Sequence, residues 1–208
     1  MRYTCMKQLI APLIFACLLF YQFSCKQVQP ELKTGDILFI TNSGGQGKAI
    51  QLATHSKYTH VGIVFIENGK PYVYHAVEPV MKSTLNEFLD FSENGKYVVK
   101  RMKENVLNDA GNEQMRKMAA NLVGKHYDMY FNWKDDEWYC SEFVWKLYER
   151  VYKTELGKLR PLKDFDLTSP VVKAIMEKRY GKKIPYEEKM ISPQDMFDSE
   201  LLEEVKAD

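Results

Sequence analysis

The segment WYCSEFVW sets Cys140 at the head of a helical pattern. Phe143, Val144, Leu147, Tyr148 and Val151 after it recur with the spacing of one helix face over about three turns. A thiol in that place faces backbone N–H groups without intrahelical partners and the positive end of the helix dipole. Both favour the thiolate, so the expectation is a lowered pKa and a nucleophile. Glu142 suits the first turn for the same electrostatic reason. A nucleophile of this kind needs a base, and the sequence offers four histidines: His55, His60, His75 and His126.

The segment YTHVGIVFIENGKPYVYHAV chooses among them. Two β-branched and aromatic runs flank Asn68-Gly69, the pair that best tolerates the positive φ angles of a two-residue hairpin turn. Counted outward from that turn, Glu67 faces Lys70, Gly62 faces His75 and His60 faces Val77. His60 and His75 then share one face as diagonal neighbours, about 7 to 8 Å apart along the backbone. Gly62 removes the side chain that would crowd His75. One imidazole beside a thiol, with a second polar group orienting it, is the generalised triad. A slip of one residue would send the two rings to opposite faces. His55 and His126 are expected to be structural or exposed. Zinc on Cys140, His60 and His75 would lack a second cysteine, an HExxH pair and a fourth ligand, so no metal and no cofactor is expected.

These groups need a frame. GDILFI (35–40) and KYVVKR (96–101) read as strands, and NEQMRKMAANLVG (112–124) as an amphipathic helix ending at glycine. Ser169-Pro170 opens a helix toward Tyr180-Gly181, and Ser192-Pro193 opens a last helix through Asp195 to Val205. NSGGQGKA (42–49) resembles a nucleotide-binding loop but has Asn42 for the first glycine and Ala49 for the magnesium-binding hydroxyl. Its glycines are read as a flexible loop capping the next helix. Strand, helix, several strands and then helices spell an α+β architecture.

With 208 residues, 45% of them hydrophobic, the chain can bury a core without staples, and a net charge of +1 excludes a polyanion-binding field and hence nucleic acid. Arg2 and Lys7 precede an apolar run from Leu9 to Tyr21, too short to span a bilayer comfortably but suited to a secretory signal. Gln22-Phe23-Ser24-Cys25 follows, and a small residue before a cysteine there resembles a bacterial lipoprotein cleavage signal, with Cys25 as the lipidated residue. Residues 1–25 are therefore read as signal, 26–33 as a polar linker and 34–208 as the functional domain. Cys5 and Cys17 leave with the signal and Cys25 takes the lipid, which leaves Cys140 without an intramolecular partner in an oxidising compartment. That calls for chemistry, unless Cys140 is simply a small buried hydrophobe.

The pieces TGDILFI, SKYTHVGIVF, VYHAVEPV, GKHYDMYFNWKDDEWYCSEFVWKLY, DFDLTSP with RYGKKIP, and ISPQDMF span nearly all of the mature chain. Together they resemble the circularly permuted branch of the NlpC-type, papain-like cysteine amidases, and within it the YiiX-like group. Unpermuted members place cysteine before histidine, whereas here His60 precedes Cys140. YCSEF also resembles the cysteine motif of the retinol-acyltransferase-like proteins. The resemblance implies a permuted papain-like fold in which Cys140 opens a helix packed on an antiparallel sheet. It makes Cys140 the nucleophile, His60 the base and acid, and His75 the orienting group. Permuted relatives often carry an acid at that third place, and Glu78 is the fallback, although alternation puts it on the other face. The backbone N–H of Cys140 would meet the oxyanion, with Tyr58 and Tyr127 as candidates for substrate or oxyanion contact. Tyr130, Phe131 and Trp133 suit an apolar acyl pocket or the core.

The expected protein is thus an exported, membrane-anchored envelope lipoprotein that acts on an amide through a thioester on Cys140. The amide belongs either to a peptidoglycan stem peptide or to an N-acyl or lipid-linked compound, and hydrolysis and acyl transfer both fit. Two other classes compete: a binding lipoprotein that grips wall peptide or lipid without turnover, and an assembly lipoprotein whose thiol pairs with another chain.

Overall fold

Asn68 and Gly69 take φ values of 50° and 74° and turn strand β2 (His60–Glu67) into β3 (Lys70–His75). The pairing runs from Glu67 opposite Lys70 to Ile63 opposite Tyr74, the register expected from the turn chemistry. The computed structural model describes residues 30–103 and 106–205; the expected signal and Cys25 lie outside them.

The hairpin belongs to a six-stranded antiparallel sheet with β1 (Ile37–Ile40), β4 (Met81–Thr84), β5 (Tyr97–Met102) and β8 (Leu202–Val205), in the order β4-β3-β2-β1-β5-β8. Packing covers both faces of its centre, which is why β1 reads as an unbroken apolar run. Ile37, Phe39, Val61 and Ile63 pack against the helical layer, while Leu38, Ile40, Val64 and Val73 are closed off by Phe88. Phe88 belongs to α2 (Leu85–Leu89), whose Thr84 and Glu87 form a reciprocal capping box.

On the opposite side lie α3 (Asp109–Leu122), capped by the Asn108 side chain, and α4 (Cys140–Tyr152), whose apolar stripe is buried on the sheet from Phe143 to Tyr148. α1 (Gly45–Thr54) packs against α5 (Pro170–Tyr180), and a two-stranded ribbon of β6 (Arg160–Pro161) and β7 (Lys189–Met190) precedes α6 (Pro193–Phe197). The structure is the α+β, antiparallel-sheet and helix arrangement that the resemblance implied.

Two local expectations are corrected. Gly45 and Gly47 lie inside the first turn of α1 rather than in a flexible loop. Gly47 is needed there because a Cβ would come within 1.8 Å of the Asn42 carbonyl oxygen. The last helix stops at Phe197, and residues 202–205 form β8, because the open edge of β5 offers them a ladder from Met102–Leu202 to Val99–Val205. Edge pairing and burial of Leu202 outweigh helix propensity.

Candidate active site

Cys140 is the first residue of α4, and Tyr139 before it is held by both ends of its side chain and backbone. Its N–H donates to Glu142 Oε2 at 3.3 Å, and its hydroxyl accepts from the Ile191 N–H at 3.2 Å. Ser141 ties the same turn to Ile191 through its own hydroxyl, 2.7 Å from the Ile191 carbonyl. The first turn of α4 is therefore locked to the segment between β7 and α6. Glu142 is wholly buried and accepts from Lys146 Nζ at 2.6 Å. Lys146 also donates to the Lys134 carbonyl at 2.8 Å and to Asp135 at 3.0 Å, which pins the loop before Cys140 to the helix. Burial raises the Glu142 pKa and the Lys146 ammonium opposes it.

The sulfur is 3% exposed. Backbone N–H groups of Val61, Ser141 and Cys140 itself are aimed at it and lower its pKa, as the helix start predicted, yet burial dominates and pushes it up to about 11. The expected low-pKa thiolate is thus corrected: desolvation exceeds the helix-terminal field, and the resting group is a thiol.

His60 opens β2 and His75 closes β3, on the face lined by Phe88, with His60 Nε2 2.9 Å from His75 Nδ1. His75 Nε2 is in turn 3.0 Å from Ser83 Oγ on β4. Gly62 makes room for this pair, since a Cβ there would lie 2.6 Å from Val73 Cγ1 and 3.2 Å from His75 Cβ. Burial holds His75 at about 4, and burial with the neighbouring His75 keeps His60 well below its usual value, so both rings are neutral near pH 7. Two tautomer chains satisfy these contacts, and the catalytically competent one runs with Ser83 Oγ accepting from His75 Nε2–H and His75 Nδ1 accepting from His60 Nε2–H. In that tautomer His60 Nδ1 is the free basic nitrogen.

Thiol and imidazoles sit on opposite faces of the sheet and meet at the beginning of β2. There the N–H of Val61, the residue after His60, points at the sulfur. No direct hydrogen bond joins Cys140 to His60. Catalytic hydrogen bonds are often long in unliganded enzymes and tighten when substrate fills the site.

The sulfur is not sealed. It lines a cavity of about 90 Å³ between α1 and α5, walled by Ala49, Ala53, Phe165, Ile175 and Met176. One water needs roughly 10 to 15 Å³ by the same measure, so several would fit, but the walls offer them few partners. His60 borders a second cleft with Asn42, Glu78 and Phe91. Gln46, Ile50 and Tyr127 line both spaces, and Gln46 Nε2 donates to the Tyr127 hydroxyl at 2.9 Å. Burial and the nearby Cys140 raise the Tyr127 pKa, so its proton stays on and is free to donate.

The remaining candidates divide. Tyr58 does not border either space: its ring stacks on Phe197 at 4.3 Å and meets Phe39 edge-on, so its surroundings are those of a core aromatic. Glu78 is turned away from His75, accepting from Tyr127 N–H at 2.8 Å and bonding His126 Nδ1 at 2.9 Å. His55 and His126 are exposed and pair with Asp166 and Glu78. Of the three aromatics, Phe131 lines the cavity, Tyr130 is half exposed, and Trp133 packs against Trp145 and Lys146. Sequence reasoning missed Ser83, Gln46 and Arg179. Gln46 sits in the glycine-rich stretch read only for phosphate binding, and the other two carry no local signal.

Among the described residues no group of three or more histidine, cysteine, aspartate or glutamate side chains is placed to hold a metal ion. The family model of permuted papain-like amidases of the YaeF/YiiX type, C92 family, matches residues 31–206. Uncharacterized protein YiiX of Escherichia coli strain K12 is 46% identical over 174 residues, covering 84% of this chain and 85% of the relative. A crystal structure described as the metalloprotein yiiX from Escherichia coli O157:H7 superposes with a TM-score of 0.80 at 44% identity. That match covers 85% of this chain and 97% of the other.

Proposed function

The chain belongs to the permuted papain-like amidase family of YaeF and YiiX, and from that premise we propose that it is a cysteine amidase working through a thioester on Cys140. The observation that carries the reading is a thiol at a helix start lining an apolar cavity that shares Gln46 and Tyr127 with the cleft of His60, whose ring is hydrogen-bonded through His75 to Ser83.

Substrate carbonyl carbon meets Cys140 Sγ as His60 Nδ1 takes the thiol proton, giving an imidazolium that keeps its Nε2–H on His75. The oxyanion is met by the Cys140 N–H and the Tyr127 hydroxyl. His60 passes its proton to the amide nitrogen, the C–N bond breaks and the amine leaves. Water then attacks the thioester, gives its proton to His60, and the thiol is restored as the acid departs. With the thiol pKa high and the imidazole pKa low, proton transfer accompanies attack rather than preceding it.

An apolar cavity at the nucleophile supports an N-acyl amide with an aliphatic acyl group over a hydrophilic stem peptide. The sequence features before residue 26 support a location at the cell envelope, with Cys25 as the lipid anchor. The metal named for the relative is not carried over. In this chain His60 and His75 spend their facing nitrogens on each other and the sulfur faces backbone N–H groups, so the three donors do not converge.

The test is release of amine from N-acyl amides and from muropeptides by the full chain, compared with Cys140→Ala and His60→Ala. Native turnover that falls at least about a thousandfold in both variants is expected; equal rates in all three would remove the assignment.

A further inference from the structure

Arg179 is the one charged side chain among the described residues that line the cavity at Cys140, and no described carboxylate lies within ion-pair distance of it. It projects from the last turn of α5, half buried, with its guanidinium 4.7 Å from the centre of the Phe131 ring and one nitrogen 3.1 Å from Gln46 Oε1. Gln46 in turn holds Tyr127, and both border the thiol cavity and the His60 cleft. The guanidinium therefore borders the thiol cavity next to Gln46, one of the residues that the cavity shares with the His60 cleft. Stacking on Phe131 and the bonds to Gln46 and Tyr180 fix the plane of the fork while further N–H donors remain for a ligand.

A cation held in apolar surroundings without a counter-ion costs desolvation that a bound anion would recover. Phe165, Ile175 and Met176 meanwhile offer nothing polar to a ligand.

Building on the amidase reading, we propose that Arg179 binds a carboxylate beside the scissile amide, and that the substrates are N-acyl amino acids. The aliphatic chain lies between α1 and α5, and the amino-acid carboxylate lies across the Arg179 fork. Hydrolysis of such a compound consumes one water and yields a fatty acid and a free amino acid.

Binding is measured by calorimetry on the full chain carrying Cys140→Ala, so that turnover plays no part and the outcome is separable from that of the activity test. N-hexanoylglycine is compared with N-hexanoylglycinamide at pH 7, in the Arg179 protein, in Arg179→Gln and in Arg179→Lys. A charge-assisted fork is expected to make the acid bind about tenfold or more tightly than the amide. The preference should vanish in Arg179→Gln and be partly kept in Arg179→Lys, which retains charge but not the bidentate geometry. Equal affinities for acid and amide in the Arg179 protein would overturn the proposal, as would no binding of either, and neither result depends on how an Arg179 variant folds. A preference undiminished in Arg179→Gln would overturn it too.

Discussion

Cys140 shows how two opposing terms are resolved by magnitude. The helix start and three N–H groups pull its pKa down, while burial at 3% exposure pushes it to about 11. Burial wins, and the sulfur rests protonated. The expected consequence is that alkylation of the unliganded protein by iodoacetamide climbs continuously from pH 7 to pH 10, since the thiolate fraction is still rising throughout that range. A rate already level at pH 7 would mean a preformed thiolate and would overturn this account. In the proposed mechanism His75 acts through His60, so His75→Ala should lower kcat by roughly one to three orders of magnitude with little change in KM, leaving residual turnover. A proportionate rise in KM would place His75 in substrate binding instead. The identity of these three residues was legible in sequence, because a lone cysteine at a helix start and two histidines fixed by one turn are local features. Ser83 was not, since nothing near it says that β4 will lay its hydroxyl 3.0 Å from an imidazole.

At the scale of elements, α4 owes its position to a buried ion pair as much as to its apolar stripe. Glu142 and Lys146 are both almost fully buried, and Lys146 reaches the carbonyl and carboxylate of the preceding loop. Removing one partner strands the other, so Lys146→Met is expected to destabilise the fold by about 3 to 5 kcal/mol in urea unfolding. The double variant Lys146→Met with Glu142→Gln should recover part of that loss. A single variant within 1 kcal/mol of the native protein, roughly the cost of an exposed pair, would show the pair to be solvated. The hairpin was legible because Asn68-Gly69 sets its register locally. The end of the chain was not: residues 202–205 become a strand because β5 has an open edge, and that edge exists only in the assembled sheet.

Across the whole molecule, the site is a junction. The thiol faces a cavity under α5, the imidazole borders a cleft at the start of α1, and Gln46 with Tyr127 forms the bar between them. If the cavity takes the acyl chain, narrowing it far from the sulfur should change chain-length preference without touching the chemistry. Ala53 lines that cavity from α1, and Ala53→Phe is expected to cut kcat/KM for dodecanoyl amides at least about tenfold while sparing acetyl amides. Equal losses on both would place the acyl chain elsewhere. Short-range rules in the sequence determined the α+β class, the hairpin register, the helix that starts at Cys140 and the resemblance that the family match bears out. Tertiary structure alone decided that the thiol is buried, that Ser83 extends the histidine chain and that Arg179 meets Gln46 across 133 positions. Desolvation and long-range contact depend on which surfaces pack together, and no local pattern of residues encodes that.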